Sequence, residues 1–144
     1  MADMLQELDK TFTDLFVKKA PALPDSAKKT LVAYAPWIAL VFGLLGIPAV
    51  LAVFSLSAVA TPFAVLAGEN ITLMWVGAAI MAVSIVLELL AVSPLKAKKM
   101  AGWNFIYYSN LVNIAYSLVH ISILGIVGDA IGLWILYQVK GQYK

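Results

Sequence analysis

The chain has no cysteine, no arginine and a single histidine, and only 12% of its residues are charged. Without cysteine there is no disulfide, thiolate nucleophile, iron–sulfur cluster or thiolate zinc site. Without arginine, no planar guanidinium can clamp a phosphate or carboxylate through two bonds. The lone His120 cannot assemble a histidine cluster for zinc or a bis-histidine haem. No HExxH, phosphate-binding loop or GxGxxG run occurs. Enzymatic chemistry, a metal and a bound cofactor are therefore not expected. Basic patches interleaved with aromatic residues are missing too, which argues against a nucleic-acid partner.

What remains is apolar. Of 144 residues, 62% are hydrophobic, and the mean hydropathy is +0.91. A soluble domain of this size needs far more charge to cover its surface, so the expected partner is the lipid bilayer. The ten lysines fall at 10, 18, 19, 28 and 29, at 96, 98 and 99, and at 140 and 144. The connections between these clusters carry only acids, Glu69 in one and Asp129 at or near the other. Cationic flanks are retained on the cytoplasmic side. The pattern predicts four crossings of the inner membrane with both termini cytoplasmic.

The fold class that follows is all-α, an integral membrane four-helix bundle preceded by an amphipathic helix. Residues 1–34 read as a cytoplasmic or interfacial segment and residues 35–144 as the transmembrane domain. Leu31–Gly68 is uncharged over 38 residues. As one helix it would reach about 57 Å, nearly twice the hydrocarbon thickness. The first span is therefore placed at 37–57, with a kink at Pro48. Residues 58–70 are left as an outer connection, interfacial or re-entrant, broken by Pro62 and Gly68. The second span is 71–92, stopped by Ser93-Pro94. Met100–Val139 lies between two basic anchors and must go out and return. A turn at His120–Ile123 gives spans of 102–119 and 124–139. A turn at Gly128-Asp129 is the competing choice, and it leaves a last helix too short to span.

The amphipathic helix is read from Leu5, Leu8, Phe12, Leu15 and Phe16 at helical spacing. Pro21 and Pro24 end it, and a short helix capped by Asp25 or Ser26 leads on to Pro36. Four acids offset its three lysines, so apolar burial rather than lipid charge has to hold it, in the membrane interface or against a protein surface. Its amphipathic, acidic character does not read as a secretory signal.

Several residues can carry function. Asn110, Asn113, Ser117 and His120 recur at three, four and three, which places them on one helical face, with Tyr116 close by. Two amides in lipid must face a bundle or a wet cavity. With Glu88 and Asp129 they form a candidate path for a proton or small cation, in which Asn113 lies level with Asp129. Interhelical hydrogen bonding explains the same stripe. Glu88 is expected to pair with Lys96, Lys98, Lys99 or Tyr107. Gly43, Gly46, Gly125, Gly128 and Gly132 are candidate helix-packing positions. Trp37, Lys96, Lys98, Lys99, Trp103 and Lys140 are candidate interface anchors.

The runs Ser93-Pro94-Leu95-Lys96, Gly102-Trp103-Asn104-Phe105-Ile106-Tyr107-Tyr108-Ser109 and Leu133-Trp134-Ile135-Leu136-Tyr137-Gln138-Val139-Lys140 resemble small uncharacterised bacterial four-helix membrane proteins. The resemblance covers about the last 50 residues. It implies a full, glycine-rich last crossing and brings no activity. Asp129 departs from its pattern. The function expected is a non-enzymatic scaffold, interaction protein or accessory subunit, partnered with itself or a larger membrane complex. The alternative is a small proton- or cation-linked permease or channel.

Overall fold

The computed structural model describes residues 1–144, and its regular structure is entirely helical. Helix α1 spans Ala2–Thr13 and runs into a widened helical stretch, Asp14–Lys19. Then follow α2 (Asp25–Leu66), α3 (Ile71–Lys96), α4 (Met100–Val119) and α5 (Ile123–Val139), and a closing turn of 3₁₀ helix, Lys140–Gln142. Three of these are long and apolar enough to cross a membrane: α2, α3, and α5 with its closing turn. Helix α4 is not among them. Its polar stripe lowers its hydropathy, although its 20 residues give about 30 Å, a full crossing length.

Local chemistry sets the helix ends. Asn70 caps α3 by accepting hydrogen bonds from the amides of Thr72 and Leu73 at 3.1 and 3.4 Å. Ser122 caps α5 through the Gly125 amide at 3.2 Å. The turn between α4 and α5 therefore falls at His120–Ser122, and Gly128-Asp129 lie inside α5.

Helix α2 departs from the sequence reading. It is continuous for 42 residues, with Pro36, Pro48 and Pro62 inside it. The separate short helix before Pro36 and the long connection over 58–70 do not form, and the link to α3 shrinks to Ala67–Asn70. Each proline forfeits one backbone hydrogen bond. A loop in this uncharged stretch would strip several, with few polar side chains to replace them. Only at Gly68, whose φ is +73°, does the chain turn. Helix α3 likewise runs through Pro94 to Lys96 instead of stopping at it.

The helices pack in chain order, α2 on α3, α3 on α4 and α4 on α5, and α5 also meets α2. Glycines set the close approaches. Gly43 and Gly46 on α2 lie against the Leu89 and Ile85 side chains of α3. Gly102 on α4 lies so close to the α3 end that a Cβ there would come within 2.6 Å of the Leu95 amide nitrogen and 2.9 Å of the Pro94 carbonyl carbon. Gly132 packs on Asn110 and Gly125 on Ser117. Gly128, expected among the packing glycines, has nothing within 4 Å of a Cβ position. It points away from the other helices, because Gly125, Asp129 and Gly132 occupy the face turned to α4.

The tightest core lies at the lysine-rich end. Val32, Ala39, Ala91, Leu95, Trp103, Tyr107, Leu133, Tyr137, Val139 and Tyr143 form one buried cluster. Trp103 was expected at a membrane interface, yet it is 2% exposed. It stacks on Tyr107 at 5.0 Å, meets Tyr137 edge-on at 5.4 Å, and donates its indole N–H to the Leu136 carbonyl at 2.8 Å. A buried partner for the N–H makes the core a better place than a headgroup layer. The C-terminus is tied to the α3–α4 link: Met100 donates to the Lys144 carbonyl, and Lys144 to that of Lys98.

Helix α1 docks on this end of the protein itself. Phe12 and Phe16 surround Tyr137 at 6.0 and 6.2 Å. Asp9 accepts hydrogen bonds from the Tyr137 hydroxyl at 2.7 Å and the Lys140 ammonium at 2.6 Å. Gln138 donates to the Phe16 carbonyl and accepts from the Leu23 amide, and Trp134 donates to the Pro21 carbonyl. Leu15, counted on the apolar face, is exposed. Lys140 is engaged in an ion pair and lies over the Trp103 and Tyr137 rings, so it is no free headgroup anchor. Lys96 lies 4.7 Å from the centre of the Trp37 ring.

Burial works against the Asp9 carboxylate, but the hydrogen bonds from Lys140 and Tyr137 and the Lys140 charge outweigh it and hold its pKa below the ordinary value. A depressed pKa means the contact stabilises the docked state above the free aspartate range, and that stability is lost as pH falls through the folded pKa. Hydrogen-exchange protection of residues 2–19 should drop on acidification below about pH 4 in the parent. Asp9→Asn should weaken that pH response, leaving the part due to the exposed Lys18–Asp14 pair. The Gly102 contact makes a second forecast. Gly102→Ala should lower stability by about 1–3 kcal/mol in detergent unfolding, whereas Gly128→Ala, inside a helix with open space at its Cβ position, should not lower it.

Candidate functional site

The polar residues singled out from sequence divide between two helix interfaces. Asn113 faces α3 and accepts a hydrogen bond from the Ser84 hydroxyl at 3.2 Å. Ser117 faces α5 and donates to the Asp129 carboxylate at 2.8 Å. The direct Asn113–Asp129 contact does not form. The stripe straddles the line where α4 passes from α3 to α5, and Gly125, lacking a side chain, brings the Ser117 hydroxyl to α5 first. Asn110 donates to the Ile106 carbonyl of its own helix at 3.4 Å. Its Oδ1 lies against Gly132, 2.8 Å from where a Cβ would stand. His120 stands at the turn, its Nδ1 3.1 Å from the Tyr116 carbonyl and its ring 4.0 Å from the Tyr116 ring.

Glu88 is the exception. The chain's two ion pairs are Lys18–Asp14 and Lys140–Asp9, and no side-chain hydrogen bond reaches Glu88. Lys96, Lys98 and Lys99 lie two turns or more farther along, and Lys96 is over Trp37. Tyr107 is turned into the aromatic cluster, where its hydroxyl is buried without a hydrogen-bond partner. Glu88 is half-buried and lines two cavities.

The first cavity, about 250 Å³, lies between α2, α3, α4 and α5 and runs toward Tyr143 at the lysine-rich end. Its walls are mostly apolar, with Asn110 beside Glu88 as the other polar group apart from the Tyr143 hydroxyl. The second, about 430 Å³, lies between α2, α3 and α4 and runs toward His120. Ser57, Ser84, Asn113 and Tyr116 line it. Neither cavity contains a lysine, and Asp129 lines neither. Both linings thus include one carboxyl group, Glu88; one lining reaches Tyr143 at the lysine-rich end and the other reaches His120 at the opposite end. No group of three His, Cys, Asp or Glu side chains is arranged to hold a metal.

Two participants were missed in the sequence. Ser84 lies four residues before Glu88 and so on the same face of α3, a spacing that would have revealed it. Ser57 is buried on α2 and bonded through its carbonyl to the Thr61 hydroxyl, with no sequence signal beyond being a polar residue in an apolar run. Comparison with protein-family models, curated proteins and solved structures finds no match.

The Ser84–Asn113 pair can be isolated by a double-mutant cycle, Ser84→Ala with Asn113→Ala, measured by unfolding in detergent. The expected coupling is about 0.6 kcal/mol and no more than about 1.7, because membrane-embedded pairs compete with partners in the unfolded state. A coupling of zero would mean the two groups do not depend on each other.

Proposed function

We propose that the chain is a multi-pass protein of the cytoplasmic membrane with four crossings, α2 to α5, and both termini on the cytoplasmic side. Its non-enzymatic role is to pass a proton or small cation, with Glu88 as the exchanging group. One observation carries this reading: an unpaired carboxyl shared by two cavities that lead to opposite ends of the helices. An acid in the membrane is costly unless it faces protein or water and finds a proton or counter-charge. The other inward polar groups, Ser84, Asn113, Ser117 and Asp129, already satisfy one another. The path therefore omits Asp129, which acts as a helix-to-helix contact. Inclusion of α4 among the crossings rests on its length and on the lysines before it and after α5.

A second reading, a scaffold or accessory subunit that associates with itself or a larger complex, draws on the outer face of α5. Gly128 is open there, beside the exposed Leu124, Val127 and Ile131. Such a face lets another helix approach closely.

Reconstitution in liposomes separates the two. The parent should dissipate an imposed proton or cation gradient. Glu88→Gln should fall to the level of empty vesicles with assembly intact, and Asp129→Asn should retain flux. A parent without flux, whose association is lost in Gly128→Leu, would carry the scaffold reading instead.

A further inference from the structure

We infer that the cavity between α2, α3, α4 and α5 binds a small amphiphilic organic cation, its charged nitrogen at Glu88 and its apolar body along Phe42, Ile106 and Ile135. The inference rests on the proposal that Glu88 is the working group, and it names what that group takes from the lysine-rich side.

Charge is the first argument. The cavity's one formally charged residue is Glu88, with no lysine in its lining and no ion pair. In an apolar surrounding, such a carboxylate favours a counter-charge or a proton. The second argument is the wall. Of the 15 lining residues 12 are hydrophobic. A bare metal cation needs a shell of oxygens, six to eight for calcium. This cavity offers the Glu88 carboxylate, the Asn110 amide and, at its far end, the Tyr143 hydroxyl. An organic cation carries its own apolar shell, so one carboxylate and an amide oxygen meet its polar needs while the walls cover the rest.

Size and access agree. A space of about 250 Å³ lies just below the range of drug-sized sites, which limits the occupant to a compact ion. At the α2 rim, Ile38 and Phe42 are about half to two-thirds exposed on the outer surface. An amphiphilic cation partitioned into lipid reaches the cavity past them, and the Phe42 ring offers a face to a quaternary nitrogen.

The test uses purified full-length protein in lipid nanodiscs with radiolabelled benzyltrimethylammonium as the probe. Its charge cannot be lost by deprotonation. Saturable binding is expected for the parent and for Asp129→Asn, and binding about tenfold or more weaker for Glu88→Gln. Unlabelled benzyltrimethylammonium should displace the label. Neopentylbenzene, the same shape with carbon in place of the charged nitrogen, should not. Ala39→Leu, which adds bulk to the α2 wall of the cavity, should also weaken binding while the protein stays folded. Equal binding by Glu88→Gln, displacement by the neutral isostere, or no saturable binding by a folded parent would each overturn the inference. Proton flux in liposomes without the probe keeps the two claims apart. Glu88-dependent flux with no cation binding overturns this inference and leaves the permeation reading standing. Cation binding with no flux does the reverse.

Discussion

Polar side chains on α3, α4 and α5 have to find their partners on neighbouring helices, because everything around them is apolar. That requirement organises the interior. Ser84 meets Asn113 across the α3–α4 contact, Ser117 meets Asp129 across α4–α5, and the Trp103 indole reaches the Leu136 carbonyl. Each pairing fixes the sliding position of one helix on the next, since a shift of one turn would break it. Glycines opposite large side chains, Gly43 with Leu89, Gly46 with Ile85 and Gly77 with Tyr116, set the same register by shape. Glu88 is left over from this pairing and lines both cavities.

The lysine-rich end is built differently. Aromatic rings, a salt bridge and main-chain bonds join α1, α4, α5 and the C-terminus there. Lys140 neutralises Asp9 and lies over Trp103 and Tyr137, so its charge is used inside the protein. Apolar burial and the two hydrogen bonds to Asp9, from Lys140 and Tyr137, hold α1, as its near balance of acids and lysines requires. The same packing places Tyr143 and Val139 at the end of the first cavity. The docked segment and the cavity are thus neighbours through α5.

Much of the architecture was legible because it depends on long apolar runs and their flanks. The turn between α4 and α5 followed from the length between Lys99 and Lys140, and the second span read from residue 71 matches the start of α3. The prolines misled. Pro36, Pro62 and Pro94 were read as breaks by the rule for water, where a freed carbonyl finds a solvent partner. In an apolar segment continuing the helix costs fewer hydrogen bonds than leaving it, so α2 and α3 run through. Trp103 misled in a related way. An amphipathic ring suits an interface, but the Leu136 carbonyl satisfies its N–H inside. The polar stripe was found as a set, whereas its partners were not. Whether Asn113 faces Ser84 or Asp129 depends on how α4 is rotated between its neighbours, and no spacing rule resolves that.

By itself the sequence determined the helical class, three segments apolar and long enough for a bilayer, and the grouping of lysines at one end. These follow from composition and period, which act over a few neighbouring residues. Tertiary structure alone decided the partners: Asp129 bonded to Ser117, Gly128 facing outward, α1 folded onto Tyr137, and Glu88 standing unpaired between two cavities. Those outcomes depend on the rotation and register of helices far apart in the chain, where the packing of glycines against bulky side chains selects one arrangement among several with the same local pattern.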